Sequence, residues 1–168
     1  MIKDPSTLEA LRAWASRPRA QWDYDTHEDG PDDIFRSLIR PIARVPPGQY
    51  FDCGSRRVAD TPAALYRLLF LCRPESVEFS DMYKTRLFAF TSSDGRFLVS
   101  VELFKYELGL YFACTRECLL GKGSGVIAGW PGADNGWRCT EDGQAFFGLV
   151  WAMSHRKLEV YPGNNFSV

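Results

Sequence analysis

An Asp-Gly dipeptide between two segments with the period of a β-strand is the feature that most constrains the fold. Asp94-Gly95 separates residues 86–91 from residues 96–104, and both segments follow a period of two. Asp-Gly favours the tight turns that join antiparallel strands, because glycine adopts left-handed backbone conformations at little cost. The sequence therefore predicts a β-hairpin, which a third strand over 108–115 would extend into an antiparallel meander.

Helical periodicity precedes the predicted meander. A first helix would begin at a capping box, Ser6–Glu9, and end before Pro18. A second helix would begin near Asp32, and Pro41 would kink it or end it early. The apolar face of this second helix comprises Ile34, Leu38 and Ile42, and its basic face comprises Arg36, Arg40 and Arg44.

Two further helices are predicted, one before and one after the meander. The third helix would start at Thr61 and end at Pro74, and its apolar residues on two sides predict a largely buried helix. A last helix is predicted over 141–155, followed by a short strand over 158–161. Because helices and strands are segregated, the pattern predicts an α+β fold: an antiparallel β-meander of about three to five strands packed against helices, with a helical N-terminal layer.

The length and composition fit one soluble domain. Residues 1–50 would form the N-terminal layer with an acidic loop, and residues 60–168 the main α+β core. The hydrophobic content of 45% supplies a core and excludes disorder, while 20 Lys+Arg against 21 Asp+Glu argue against general nucleic-acid binding. The sequence shows neither a long apolar run nor a secretory signal, so we expect a cytoplasmic protein with no membrane contact.

The most distinctive polar feature is an acidic window over residues 21–33, which holds six carboxylates and no lysine or arginine. With the aromatic residues among them, these carboxylates would offer a negative surface to a basic partner. The alternative is a solvated loop whose acids pair with the arginines of the second helix. The residues favoured for contact with a partner are Trp22, Asp23, Tyr24, Asp25, Glu28 and Asp29.

A second candidate contact surface is the glycine-rich stretch 121–136, which holds six of the 14 glycines. The stretch lacks the residue order of a phosphate-binding P-loop, so its glycines favour a mobile connection. Exposed tryptophans often anchor protein interfaces, although core packing is the commoner role of this residue. The residues favoured for contact here are Lys122, Trp130 and Trp137.

Catalytic and metal-binding patterns are weak in this chain. A zinc site would need Cys114, Cys118 and Cys139 with His27 or His155, and no second paired motif accompanies the Cys-x3-Cys spacing. His155 is also the candidate base for a cysteine or carboxylate nucleophile, but no known nucleophile motif surrounds these residues. We therefore expect no catalytic residue, no metal and no cofactor, and mostly reduced, buried cysteines.

These observations favour a non-enzymatic factor that binds another protein or protein complex and masks or inhibits it. Small phage or bacterial inhibitors and immunity proteins act in this way, and the likeness to them is one of size and of a missing catalytic motif. Two alternatives stay open. One is a small cytosolic hydrolase or transferase that uses His155 with a cysteine or carboxylate, and the other is a domain that binds a small ligand between sheet and helices.

Overall fold

A computed structural model describes residues 31–79, 84–105, 107–122 and 137–155, together with positions 9, 12, 13 and 16. These residues form an α+β fold, as the sequence predicts, and positions 9, 12 and 13 are helical, in keeping with the predicted N-terminal helix. In chain order the elements are α1 (Pro31–Leu38), β1 (Ile39–Ile42), β2 (Phe51–Arg57), α2 (Thr61–Cys72), β3 (Lys84–Ser92), β4 (Phe97–Phe104), β5 (Glu107–Cys114), a short 3-10 helix (Arg116–Cys118), β6 (Leu119–Lys122), β7 (Trp137–Cys139) and α3 (Glu141–His155).

The predicted meander forms the centre of a five-stranded antiparallel sheet with the order β1-β3-β4-β5-β2, beside a two-stranded sheet of β6 and β7. The hairpin turn between β3 and β4 has the expected chemistry. Gly95 has a φ of 77°, and its N–H donates to the Ser92 carbonyl oxygen at 2.8 Å. The Asp94 carboxylate accepts the Ser92 hydroxyl at 2.6 Å and the Arg96 backbone N–H at 3.1 Å. The Asp-Gly prediction is confirmed.

The second predicted helix is shorter than its apolar face suggests, and the chain continues as an edge strand. Helix α1 ends at Leu38, and β1 pairs with β3, so Arg40 and Ile42 lie on a strand instead of on helical faces. Pro41 explains the change, because proline has no N–H to donate and disfavours a helical conformation at the preceding residue. An edge strand tolerates proline, since one side of its backbone is left unpaired.

Strand β2 has no counterpart in the sequence-based prediction. Every residue of β2 except Cys53 is exposed or half-buried, so it lacks the alternation that marks a half-buried strand. Its place in the sheet depends on backbone pairing with β5, from Phe51 opposite Cys114 to Arg57 opposite Gly109. Pairing of this kind cannot be inferred from the β2 sequence alone.

The connection between β1 and β2 crosses the sheet from one edge to the other. Four strand spacings amount to ~19 Å, and the chain from residue 42 to residue 51 reaches at most ~30 Å when extended. On this path the Tyr50 hydroxyl donates to the Gly95 carbonyl oxygen at 2.7 Å. The connection is therefore held against the β3–β4 turn.

The hydrophobic core lies between one face of the sheet and helices α2 and α3. The Phe147 ring of α3 lies 5.0 Å from the Phe112 ring of β5 and 5.7 Å from the Phe97 ring of β4, measured between centroids. Helix α2 packs against α3 and β5, and every residue of α2 except Ala63 is buried. The predictions of a buried third helix and of a last helix over 141–155 are confirmed.

Two glycines of α3 allow a matched test of how tightly this helix packs. A Cβ at Gly143 would lie 2.6 Å from Phe97 Cε1 and 2.7 Å from Cys139 Sγ, whereas a Cβ at Gly148 would meet no heavy atom within 4 Å. We expect Gly143→Ala to lower the free energy of unfolding by about 1–3 kcal/mol through overpacking. Gly148→Ala should raise it by about 0.5–1 kcal/mol, because alanine favours the helix. Chemical denaturation measures both, and shifts of the same sign would contradict this packing.

Candidate functional site

The contact residues favoured by the sequence fall largely outside the described residues. The acidic set (Trp22, Asp23, Tyr24, Asp25, Glu28 and Asp29) lies outside them, and so does Trp130. Lys122 and Trp137 are described in their backbone, where they are register partners in the last pair of the β6–β7 ladder. The structure therefore brings together two of the three residues favoured in the glycine-rich stretch, and the acidic set stays a prediction.

Two carboxylates of the acidic window are described, and both pair with arginine. Asp33 accepts a hydrogen bond from Arg36 Nη1 at 3.3 Å, as the alternative interpretation of a solvated, paired loop expects. Asp32 instead pairs with Arg67 of α2, and the two side chains are only 13% and 4% exposed. The inward face of α1, which also carries the fully buried Phe35, directs Asp32 towards α2. The ion pair of Asp32 therefore joins α1 to α2, and helical spacing within α1 does not predict such a contact.

The outer face of α1 and the strand that follows it combine apolar and basic side chains. Ile34 and Leu38 lie one helical turn apart, and 65% and 39% of their surfaces are exposed. Arg40 and Arg44 are exposed as well, and neither forms an ion pair with a carboxylate of the described residues. We call these four residues, Ile34, Leu38, Arg40 and Arg44, the β1 surface.

Three grooves are lined in part by residues 36–46. The largest, with a volume of about 520 Å³, lies between residues 41–45, residues 74–78 and residues 86–89 of β3. A second groove of about 410 Å³ lies where Arg40 and Arg44 approach Tyr50 and the β3–β4 turn, and a third of about 340 Å³ lies between Arg36 and the end of α2. All three combine charged and apolar lining residues and open to solvent. Grooves of this kind suit the side chains of a protein partner better than an enclosed apolar ligand.

His155, the sequence-based candidate for a general base, makes local contacts at the end of α3. Its Nδ1 lies 2.8 Å from the Trp151 carbonyl oxygen and 2.9 Å from Ser154 Oγ. The imidazole also packs on the Trp151 ring, with 3.7 Å between centroids. In the part of the chain that the structure describes, these contacts include neither a cysteine nor a carboxylate. The arrangement is that of a residue at a helix C-terminus, where imidazole binds the last carbonyl groups.

All five cysteines are buried, as the sequence predicts, and none of them forms a disulfide bond in this structure. Three of them adjoin. Cys53 Sγ lies 3.4 Å from Cys114 Sγ, and Cys139 is close enough to contribute to the raised pKa of Cys53. We call Cys53, Cys114 and Cys139 the thiol cluster. Across the described ranges, no group of three or more His, Cys, Asp or Glu residues has the arrangement of a metal site.

Sequence reasoning assigned part of this surface differently and did not single out Cys53. Helical spacing predicts that Ile34 and Leu38 share one face with Ile42, but the helix ends before residue 42 and both side chains are exposed. Pro41 was the signal for that end. For Cys53, the signal was the preceding Asp52 and the following Gly54, a combination found at β-bulges and turns.

Comparison with protein-family models, with curated proteins and with solved structures found no match to this chain. The structure itself defines the fold class: an α+β fold built on a five-stranded antiparallel sheet. Among the helices that the structure describes, none is both long enough and apolar enough to cross a membrane.

Proposed function

We propose that this protein is a non-enzymatic, cytoplasmic binding factor that uses the β1 surface to mask a partner protein. The supporting observation is that Ile34 and Leu38 are exposed on α1, and that Arg40 and Arg44, which follow α1 in the chain, are exposed as well and lack described carboxylate partners. Arginine is enriched at protein interfaces, and its guanidinium group binds carboxylates through two parallel hydrogen bonds. The partner surface is therefore an apolar patch bordered by carboxylates.

Masking a partner needs no catalytic group, which is how small phage and bacterial inhibitors and immunity proteins act. The acidic set of residues 22–29 precedes α1 in the chain and belongs to this proposal as a second, sequence-based contact set. The two sets carry opposite charge, so they would bind different parts of a partner. The β1 surface is the part of the proposal that described side chains support.

The two alternatives have less support. The hydrolase alternative pairs His155 with a cysteine or carboxylate, whereas the described contacts of His155 are with the Trp151 carbonyl oxygen and with Ser154, a buried hydroxyl that itself donates to the Trp151 carbonyl oxygen. A small-ligand domain needs a concave, mostly apolar cavity, whereas the three grooves lined in part by residues 36–46 are open and partly lined by charged residues.

Site-specific photocrosslinking tests the proposed binding surface. A benzophenone-bearing amino acid replaces Leu38 in the full chain, and the same amino acid replaces Ser55 as a control on β2, the opposite edge of the sheet. After irradiation in a lysate of the source organism, we expect the Leu38 variant to give a discrete adduct with one other protein, at several-fold higher yield than the Ser55 variant. Mass spectrometry of the adduct identifies the partner.

Charge reversal at the β1 surface then tests the chemistry of the contact. Arg40→Glu with Arg44→Glu, added to the Leu38 variant, should abolish the adduct, because the introduced carboxylates repel an acidic partner surface. Reversing the charge of Asp25, Glu28 and Asp29 in the Leu38 variant tests separately whether the acidic set contributes to formation of the adduct. Equal adduct yields at positions 38 and 55, an adduct with a second copy of this chain alone, or an adduct that survives the arginine reversal would overturn the proposal.

A further inference from the structure

A β-bulge on the edge strand β2 directs one cysteine into the interior. In the ladder with β5, Asp52 pairs with Ala113 and Gly54 pairs with Phe112, so Cys53 is the extra residue between two pairs. Gly54 has a φ of 129°, which other residues rarely adopt, and its N–H donates to Asp52 Oδ1 at 2.8 Å. The bulge makes Cys53 the single buried residue of β2.

The inward-facing Cys53 meets Cys114, the last residue of β5. Both residues are 0% exposed, and their Sγ atoms are 3.4 Å apart. A disulfide bond is about 2.05 Å long, so the two sulfurs need to approach by ~1.4 Å to form one. Such an approach is small enough for rotation of two cysteine side chains on neighbouring strands. Cys72, equally buried on α2, has no thiol partner among the described residues.

Hydrogen bonding within the thiol cluster favours a thiolate at Cys114. The Cys53 S–H donates to Cys114 Sγ, and this bond holds the pKa of Cys114 below its ordinary value although burial opposes the shift. The pKa of Cys53 is raised by the same hydrogen bond, by the neighbouring thiol of Cys139 and by burial. At Cys72, burial alone raises the pKa. Since thiolates are the reactive form, Cys114 is the nucleophile of the pair and Cys72 is an inert reference.

We propose that Cys53 and Cys114 are a redox-active pair that hydrogen peroxide converts to a disulfide joining β2 to β5. The Cys114 thiolate attacks one peroxide oxygen and the O–O bond breaks, which leaves a sulfenic acid on Cys114 and releases hydroxide that takes up a proton as water. The Cys53 sulfur then attacks the Cys114 sulfur. The S–S bond forms, and the sulfenic hydroxyl leaves as water with the Cys53 proton. Two thiols are oxidised, and one peroxide is reduced to two waters.

The position of β2 in the sheet gives the oxidant access to these buried sulfurs. Within the described sheet β2 is an edge strand that pairs only with β5, and all its residues other than Cys53 are exposed or half-buried. Edge strands open locally at lower cost than central strands, because fewer buried contacts are lost. The bond would link residues 61 apart in sequence, and closing such a loop lowers the entropy of the unfolded chain. Oxidation should therefore raise the thermal unfolding temperature.

Thiol counting with peptide mapping tests the proposal on the full chain. Purified, reduced protein is treated with a slight excess of hydrogen peroxide, and free thiols are then alkylated under denaturing conditions and counted by intact mass. We expect the wild type, Cys72→Ser and Cys139→Ser to lose two thiols and two hydrogens. Proteolysis should yield one linked peptide that joins Cys53 to Cys114. Cys114→Ser, which lacks the attacking thiolate, should keep all its thiols, whereas Cys53→Ser should lose only the Cys114 thiol, as a sulfenic acid, and yield no linked peptide.

The wild-type measurement stands even where a serine variant fails to fold. Cys72→Ser is the matched control for burying a hydroxyl group, because residue 72 is as buried as the pair. Five free thiols after peroxide treatment of folded wild type would overturn the proposal. A linked peptide that uses Cys72, Cys118 or Cys139 in place of the Cys53–Cys114 pair would overturn it as well, and so would a thermal unfolding temperature that falls on oxidation.

Discussion

Arg67→Met is expected to lower the free energy of unfolding by about 3–5 kcal/mol, because it removes the guanidinium group that is paired with the buried carboxylate of Asp32. The ion pair joins α1 to α2, and its side chains are only 13% and 4% exposed. Methionine retains most of the apolar stem volume, so the loss reports the charge and not a cavity. Chemical denaturation followed by circular dichroism measures the change.

Two comparisons separate the buried charge from other effects of the substitution. The double variant Asp32→Leu with Arg67→Met removes both charges, and its stability should return to within about 1–2 kcal/mol of wild type or exceed it. Arg57→Met removes a partner of Glu107 from a pair in which Arg57 is 66% exposed, and it should cost no more than about 1 kcal/mol. A small effect of Arg67→Met, equal to that of Arg57→Met, would show that α1 is not held to α2 by this pair.

Phe147→Ala is expected to destabilise the fold by about 3–5 kcal/mol through the cavity that it opens. The side chain is 0% exposed, and its ring contacts those of Phe112 and Phe97 from the sheet and of Phe146 from its own helix. Phe147 therefore makes aromatic contacts with two strands of the sheet and packs α3 against them. Thermal and chemical denaturation should both show the loss.

A second phenylalanine serves as the control for this prediction. Phe51 lies at the start of β2 with 38% of its surface exposed, so Phe51→Ala should change the free energy of unfolding by no more than about 1 kcal/mol. Comparable losses in the two variants would mean that α3 does not pack on the sheet through Phe147.

The sequence predicts those elements whose signals are local. Asp94-Gly95 predicts the hairpin because the turn needs a residue with positive φ, and glycine stands at that position. Thr61-Pro62 and the apolar residues that follow predict α2 because proline suits a first helical turn. Helix α3 follows the predicted bounds, 141–155. In each case, neighbouring residues in the chain contain the whole signal.

The elements that the sequence does not predict take their stability from distant partners. Neither β1 nor β2 shows strong periodicity of its own. The place of β2 in the sheet depends on backbone pairing with β5, and that of β1 on pairing with β3. The candidate sites are hard to predict from the sequence for the same reason. Leu38 is exposed because it shares the outer face of α1 with Ile34, and Cys53 meets Cys114 because a bulge displaces one residue of a strand that periodicity does not reveal. Interactions between segments far apart in sequence decide both.

The two edge strands come first among the described strands, and each precedes its partner in the chain. Strand β1 cannot pair until β3, which follows α2, has been synthesised. Strand β2 cannot pair until β5, which follows the entire β3–β4 hairpin, has been synthesised. While the chain emerges from the ribosome, both strands have unpaired backbone groups that attract other unfinished chains. Pro41 removes one donor from β1, and the bulge at Cys53 interrupts the regular spacing of β2. We therefore expect the irregularities that shape the folded edges to make the nascent chain less prone to aggregation as well.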